Sequence, residues 1–182
     1  MNLSEQNHKN LKKAQKEVYK LQQEVEKLHS DLYHLLKNLD NTTIQNSSFY
    51  VIIHGYLNDL TGALDKMVSK SYKYVNNQHK KLTYNQIKDL SEIDQVIRKF
   101  LDESASVFNL EICEYIDINK LYSDAEDIKV MIQEKIQKQA EVARYGESRP
   151  KNTVLYFMLL VETKGIVDAV GDLLRDFVNN QK

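Results

Sequence analysis

Proline, glycine and cysteine are scarce in this sequence, and each shortage narrows the possible folds. Pro150 is the only proline among 182 residues and glycine occurs five times. Few positions therefore interrupt a helix by a missing N–H or by excess backbone freedom. Cys113 is the only cysteine, which excludes an intramolecular disulfide and suits a reducing compartment. The charged residues cancel to a net charge of −1, which gives no general electrostatic reason to expect a nucleic-acid partner.

Long apolar runs are missing as well. The longest, residues 154–161, is far shorter than the roughly 20 residues that a helix needs to span a bilayer. The first ten residues are polar, so they do not read as a secretory signal. We therefore expect a soluble protein with a single domain over residues 1–182.

Apolar residues recur at helical spacing along most of the chain, and no segment shows the strict alternation of a half-buried strand. The spacing predicts an all-α fold, an antiparallel bundle of about five long helices. The predicted helices cover about residues 5–39, 44–76, 84–108, 120–145 and 152–178.

Capping residues mark several of the predicted ends. Thr83 with Gln86 three residues later forms a capping box at the start of the third helix. Gly146 suits the C-terminus of the fourth helix, and Asn152 or Thr153 is expected to cap the fifth. The first half of that last helix is apolar on nearly every side, so we expect it to be the central, most buried helix.

The first helix carries an a/d heptad pattern for about four heptads. Its apolar residues are Leu11, Ala14, Val18, Leu21, Val25, Leu28, Leu32, Leu35 and Leu39. The pattern is typical of a coiled-coil homodimer or of one helix in a bundle, and the four apolar helices that follow favour the bundle. In the second helix, Gly55 and Gly62 share a face, where we expect a neighbouring helix to approach closely.

No catalytic motif is present: the sequence has no Gly-rich phosphate loop, CxxC, HExxH or nucleophile elbow. We therefore predict that the chain is not an enzyme and uses no cofactor. Five polar residues are candidates for interaction or switching, although a packed, hydrogen-bonded role is the more common one for a histidine in an apolar helix. They are His54, His79, Lys80, Glu162 and Lys164.

Carboxylates offer one metal hypothesis. Asp168 and Asp172 lie four residues apart and so share a face of the last helix, while Asp65 lies on the second helix. Carboxylates repeated at this spacing on facing helices can bind hard cations or iron. The same spacing is common among solvated surface carboxylates, so both interpretations stay open.

Eight short segments, spread over nearly the whole chain, form a distinctive set. They are residues 37–40, 49–51, 55–57, 74–82, 85–90, 150–153, 155–157 and 162–164. Asn-Asn-Gln-His-Lys at 76–80 and Glu-Thr-Lys at 162–164 are the most specific. Together these segments resemble the C-terminal PhoU-like domain of bacterial, Bacteroides-type sodium/phosphate cotransporters.

This resemblance implies a location and a partner. In that family a membrane domain moves phosphate with sodium, and the PhoU-like helical domain follows it on the cytoplasmic side, where it is supposed to regulate transport. The chain is then expected to be a soluble tail at the inner membrane. Its partner is the membrane domain of the transporter, in the same native polypeptide.

The resemblance also bears on metal binding. Standalone PhoU proteins carry repeated Glu/Asp-x-x-x-Asp motifs that bind metal clusters. Here Thr61 stands where the first carboxylate of one motif belongs, and Asp65 keeps the later position. Only Asp168 and Asp172 complete the pattern on the last helix. We expect a regulatory domain; the alternatives are a helical scaffold unrelated to phosphate and a metal-binding PhoU-type sensor.

Overall fold

Five long helices make up almost all of the chain that this computed structural model describes, namely residues 8–37, 44–108, 116–146 and 149–180. The helices are α1 (His8–Lys37), α2 (Ile44–Asn76), α3 (Tyr84–Val107), α4 (Ile118–Arg144) and α5 (Pro150–Asn180). The described ranges contain no strand. These findings confirm the predicted all-α fold with about five helices. The predicted extension of the first helix through residues 5–7 and 38–39 lies outside the described residues.

The ends of α3 and α4 follow from local capping. The Thr83 side chain accepts a hydrogen bond from the Gln86 backbone N–H at 3.3 Å, and the Gln86 side chain accepts one from the Thr83 N–H at 3.0 Å. This confirms the predicted capping box. Gly146 follows α4 with a φ of 74°, the left-handed conformation that glycine adopts without strain. Asp117 caps α4 through the Lys120 N–H and starts it two residues earlier than predicted.

The predicted cap of α5 is wrong. The helix begins at Pro150, because proline fits the first turn, where its missing N–H is not needed. Asn152 and Thr153 lie inside the helix and are buried, with 2 % and 7 % of their surface exposed. The Asn152 side chain is therefore available for tertiary contacts instead of a cap.

Consecutive helices run antiparallel, and α5 lies at the centre, where it contacts α2, α3 and α4. Two hydrogen bonds fix its direction against α2: Tyr74 pairs with Asn152 near one end and Tyr56 pairs with Asp176 near the other. The largest fully buried side chains lie on α3, α4 and α5. They include Phe100, Leu121, Ile132, Tyr156, Leu159, Leu160 and Leu174. The prediction that the last helix is the most buried is confirmed, although Val154 and Val161 leave one flank exposed.

Helix α1 is peripheral and contacts chiefly α2. The two apolar positions of its heptad form two lines of side chains along the helix. Leu11, Val18 and Val25, which belong to one line, are buried. Leu21 and Leu28, which belong to the other, are 39 % and 49 % exposed. A single partner helix can cover only one of these lines. The pattern therefore serves the bundle, but Leu21 and Leu28 remain at the surface.

The predicted close approach at the glycines of α2 is wrong. A Cβ atom built on Gly55 or Gly62 meets no atom of a neighbouring residue within 4 Å. Gly62 instead borders an open cavity between α1 and α2, which Tyr19 and Gln22 of α1 also line. Within the described residues, none of the five helices is long and apolar enough to cross a membrane.

Candidate functional site

One end of the bundle carries an unusual amount of buried polar structure. At this end, called the junction end, α2 and α4 finish while α1, α3 and α5 begin. Residues 77–83 connect α2 to α3 there, and residues 145, 146 and 149 lie between α4 and α5. Three hydrogen-bond networks occupy this end, each joining two or three helices.

The first network, called the junction, joins residues 74–82 to residues 150–153. The Tyr74 hydroxyl lies 2.6 Å from Asn152 Oδ1 and 2.5 Å from the Lys80 carbonyl oxygen, so these two acceptors share its hydrogen. Asn152 Nδ2 in turn donates to the Lys81 carbonyl at 2.7 Å. Burial raises the pKa of Tyr74, and the nearby positive charge of Arg149 opposes that rise.

The chain reversal after α2 presents those carbonyls. Gln78 has a φ of 52°, in the left-handed region that side chains other than glycine seldom enter. The His79 N–H donates to the Tyr74 carbonyl at 3.3 Å, and the His79 ring packs against the Tyr74 ring at 5.0 Å. The turn therefore folds back over Tyr74, which brings the Lys80 and Lys81 carbonyls to the junction.

The second network crosses three helices through amide side chains. Gln86 Nε2 on α3 donates to Gln139 Oε1 on α4 at 3.1 Å, and Gln139 Nε2 donates to Thr153 on α5 at 3.5 Å. Gln86 and Gln139 are both buried, with 2 % and 9 % exposed. An unpaired buried amide costs about 1–3 kcal/mol, so these partners depend on one another.

The third network adds charge. Lys135 on α4 donates to Asp89 at 2.8 Å and to Glu92 at 2.7 Å, both on α3. Tyr156 on α5, which is fully buried, donates its hydroxyl to Asp89 at 3.0 Å. Burial lowers the pKa of Lys135, but its two carboxylate hydrogen bonds outweigh burial and raise that pKa overall. Burial and the Asp89 charge both raise the pKa of Tyr156, which keeps its hydroxyl protonated as a donor.

A cleft of about 610 Å³ opens beside the junction, between the C-terminal turns of α2 and the first turns of α5. We call it the basic cleft. Lys70, Lys73 and Lys151 line it together with His79. Its apolar wall consists of Val154, Leu155 and Met158 with the Tyr74 ring.

The predicted interaction residues separate into two groups. His79 and Lys80 lie at the junction, where the His79 ring lines the basic cleft and the Lys80 carbonyl binds Tyr74. Glu162 and Lys164 lie further along α5. The Glu162 side chain is 17 % exposed and contacts Lys66 of α2 at 3.4 Å, while Lys164 contacts Asp168 at 3.4 Å.

His54 is a packed, hydrogen-bonded residue, as expected for a histidine in an apolar helix. Its Nε2 donates to the Val25 carbonyl of α1 at 3.3 Å, and its Nδ1 accepts from Asn58 at 3.0 Å. Its ring also lies 4.9 Å from the His29 ring. His54 therefore joins α1 to α2, away from the junction.

The structure pairs the metal candidates with cations or a hydroxyl. Asp168 contacts Lys129 at 3.3 Å as well as Lys164, and Asp172 contacts Arg175 at 2.8 Å. Asp65, on α2, accepts a hydrogen bond from Ser69 at 3.0 Å. Over the described ranges, no three His, Cys, Asp or Glu side chains are grouped closely enough to bind a metal ion.

Sequence reasoning missed the buried partners at the junction end. Asn152 precedes Leu155 and Leu159 by three and seven residues and so lies on the buried face of α5. That register was the signal for burial, but its position near the helix start suggested a cap.

Comparison with protein-family models, with curated proteins and with solved structures finds no match to this chain.

Proposed function

We propose that this five-helix domain is a non-catalytic regulatory module of a sodium-dependent phosphate transporter, acting at the cytoplasmic side of the inner membrane. One observation carries the proposal. Two of the segments that resemble PhoU-like transporter tails, residues 74–82 and 150–153, are bonded to each other through Tyr74 and Asn152, 78 positions apart. If both segments belong to such a tail, they are expected to form one structural unit.

The state of the acidic side chains supports a binding role over catalysis. Carboxylates that could act as acids or bases are occupied by cations: Asp89 and Glu92 by Lys135, and Asp168 by Lys129 and Lys164. The hydrogen bond from Lys135 lowers the pKa of Glu92, whereas general acid–base catalysis needs a pKa close to the working pH. A regulatory module needs only a surface that its partner recognises.

The proposed partner is the membrane domain of the transporter, in the same native polypeptide. Lysines at the junction end favour this assignment, because a surface with Lys70, Lys73 and Lys151 is attracted to the anionic cytoplasmic leaflet. Each basic residue near such a surface contributes about 1 kcal/mol.

The test is made in the organism that carries the gene. A tag is added to the chain at its own locus, membranes are cross-linked, and the captured proteins are identified by mass spectrometry. Sodium-dependent uptake of labelled phosphate is measured with and without residues 1–182, in scarce and in plentiful phosphate. We expect a sodium/phosphate membrane domain in the captured material, and a changed uptake rate after deletion. Capture of no transporter polypeptide, with unchanged uptake in both conditions, would contradict the proposal.

A second candidate function is a helical scaffold that associates through the outer faces of α1 and α2. Large apolar side chains are exposed there, with Leu28 49 %, Tyr33 64 %, Val51 50 % and Ile52 45 % accessible. Exposed apolar patches of this kind commonly mark protein–protein contacts. Light scattering separates the candidates: a dimer that Leu28→Asp dissociates and Tyr84→Asp leaves intact favours the scaffold, and a monomer in all three proteins rejects it.

A further inference from the structure

The lysines of the basic cleft differ from the other lysines between helices. Lys66, Lys129 and Lys135 each contact a carboxylate of a neighbouring helix at 3.4 Å or less. By contrast, Lys70, Lys73 and Lys151 form no ion pair in the part of the chain that the structure describes. No Asp or Glu occurs among the described residues that line the cleft. Among the described residues, three positive charges therefore face one space without a compensating carboxylate, in a chain whose net charge is −1.

Charge repulsion makes this arrangement unfavourable in the absence of a ligand. Lys70 and Lys73 lie three residues apart and share a face of α2, where like charges destabilise a helix by a few tenths of a kcal/mol. Lys151 faces them from the first turn of α5. The N-terminus of a helix carries a partial positive charge of its own, which adds to the repulsion and to the attraction for an anion.

The wall of the cleft is apolar. Val154 is 68 % exposed, and Leu155 and Met158 form the surface beneath it. A free inorganic anion makes no use of such a wall, whereas an organic anion buries carbon against it. The volume of about 610 Å³ lies within the range of small-molecule sites, roughly 300–1,000 Å³.

We propose that the basic cleft binds an organic phosphate, with the phosphoryl group at Lys70, Lys73 and Lys151 and the carbon portion against Val154 and Met158. A phosphoryl group suits three ammonium groups, because it carries up to two negative charges and three acceptor oxygens. The ligand is a soluble phosphate ester or the headgroup of an anionic phospholipid, which share this chemistry. The inference does not depend on the transporter assignment.

The methionines give a direct readout. The chain has four, at positions 1, 67, 131 and 158, and of the three that the structure describes only Met158 lines the cleft. The full chain is labelled with ¹³C at its methionine methyl groups and titrated with butyl phosphate at low salt. We expect a saturable shift of the Met158 methyl signal, with Met67 and Met131 unchanged.

Two matched pairs of variants test the cleft. Lys70→Gln/Lys73→Gln/Lys151→Gln is compared with Lys16→Gln/Lys20→Gln/Lys27→Gln, which removes the same charge from exposed positions of α1. Val154→Asp is compared with Val161→Asp, since both valines are exposed on α5 and only Val154 lines the cleft. We expect the first member of each pair to weaken binding by about tenfold or more, and the second to change it less than about twofold.

The source of the phosphate is distinguished by adding two further probes. Inorganic phosphate is expected to bind more weakly than butyl phosphate, since it leaves the apolar wall uncovered. Vesicles that contain phosphatidic acid are compared with neutral phosphatidylcholine vesicles. If binding requires the acidic vesicles, the ligand is a phospholipid headgroup. If butyl phosphate alone saturates the cleft, the ligand is a soluble phosphate ester. The proposal is overturned if no probe shifts Met158, or if both members of each variant pair lose affinity equally.

Discussion

The two ends of this bundle are stabilised in different ways. At the junction end, polar side chains bridge the helices: Tyr74 to Asn152, and Gln86 through Gln139 to Thr153. At the opposite end, apolar packing dominates, although one hydrogen bond, from Tyr56 to Asp176, joins α2 to α5. The Phe108 and Phe177 rings lie 4.8 Å apart there, above the buried side chains Val107, Leu121 and Leu174.

The opposite end therefore contributes mainly to the stability of the fold, and the junction end contributes mainly to the positions of the helices. Apolar burial is non-directional and scales with the area removed from water, so packing at the opposite end depends mainly on matching side-chain volumes. Hydrogen bonds need defined distances and angles, and an unmade buried bond is costly. The junction end therefore positions the C-terminal turns of α2 against the first turns of α5, and with them Lys73 and Lys151 across the basic cleft.

The largest effect is expected at the opposite end. Leu174 is fully buried, so Leu174→Ala removes apolar contacts and leaves a cavity. It is expected to lower the free energy of unfolding by about 3–4 kcal/mol in urea denaturation followed by circular dichroism. The affinity of the basic cleft should stay within twofold, since the junction is untouched. Leu21→Ala, at a partly exposed site, serves as the control with about 1 kcal/mol or less. Equal losses in the two variants would show that the opposite end is not closely packed.

Asn152→Ala is expected to have the next largest effect, at the junction end. It removes the partner of the Lys81 carbonyl and one acceptor of the Tyr74 hydroxyl, which costs about 2–3 kcal/mol. Unlike Leu174→Ala, it is also expected to weaken ligand binding at the cleft. Asn85→Ala, at an exposed position of α3, should change stability by about 0.5 kcal/mol or less. Unfolding data that do not distinguish Asn152→Ala from Asn85→Ala would rule out a structural role for the junction.

Tyr156→Phe tests the charged network with a single hydroxyl. Asp89 keeps its ion pair with Lys135 when this hydroxyl is removed, so only one hydrogen bond is lost. The expected decrease in unfolding free energy is about 1.5–2 kcal/mol, because the acceptor is the carboxylate of an ion pair. Tyr84→Phe makes the same chemical change where the side chain is 79 % exposed, and it should have no measurable effect. A loss above about 3 kcal/mol for Tyr156→Phe would mean that the network collapses as a unit.

The smallest effect is expected to be a gain. Ser104 is buried near the opposite end, and its hydroxyl has no hydrogen-bond partner in the described residues. Ser104→Ala removes that desolvated hydroxyl and should raise the free energy of unfolding by about 0.5–1 kcal/mol. The melting temperature measures this gain, with Ser123→Ala at an exposed position of α4 for comparison. A lower melting temperature for Ser104→Ala alone would reveal a partner for this hydroxyl.

The helices were predictable from the sequence because helical spacing and capping are local properties. Thr83 and Gln86 lie within one turn of each other, so their capping box could be read directly. Asn152 was misassigned because its partners, Tyr74 and Lys81, are distant in sequence. The basic cleft was not predicted either, since it exists only where the end of α2 faces the start of α5.

The glycines of α2 show a second limit. Gly55 and Gly62 share a helix face. Their spacing indicates that there is room beside the helix, but it does not show whether another helix fills that room. The covered face of α2 carries Ala63 and Tyr74 instead, and both of these residues are buried. Spacing alone could not distinguish a contact face from an open one.

The peripheral position of α1 has a consequence for dynamics. Because α1 contacts chiefly α2, it can separate while α2 to α5 stay packed around the central helix. Local opening of this kind costs less than global unfolding, so the amide hydrogens of α1 should exchange with solvent before those of α5. Release of α1 would uncover Leu11, Val18 and Val25 together with the α2 surface beneath them. Hydrogen exchange of α1 is thus expected to report an opening that leaves the other four helices folded.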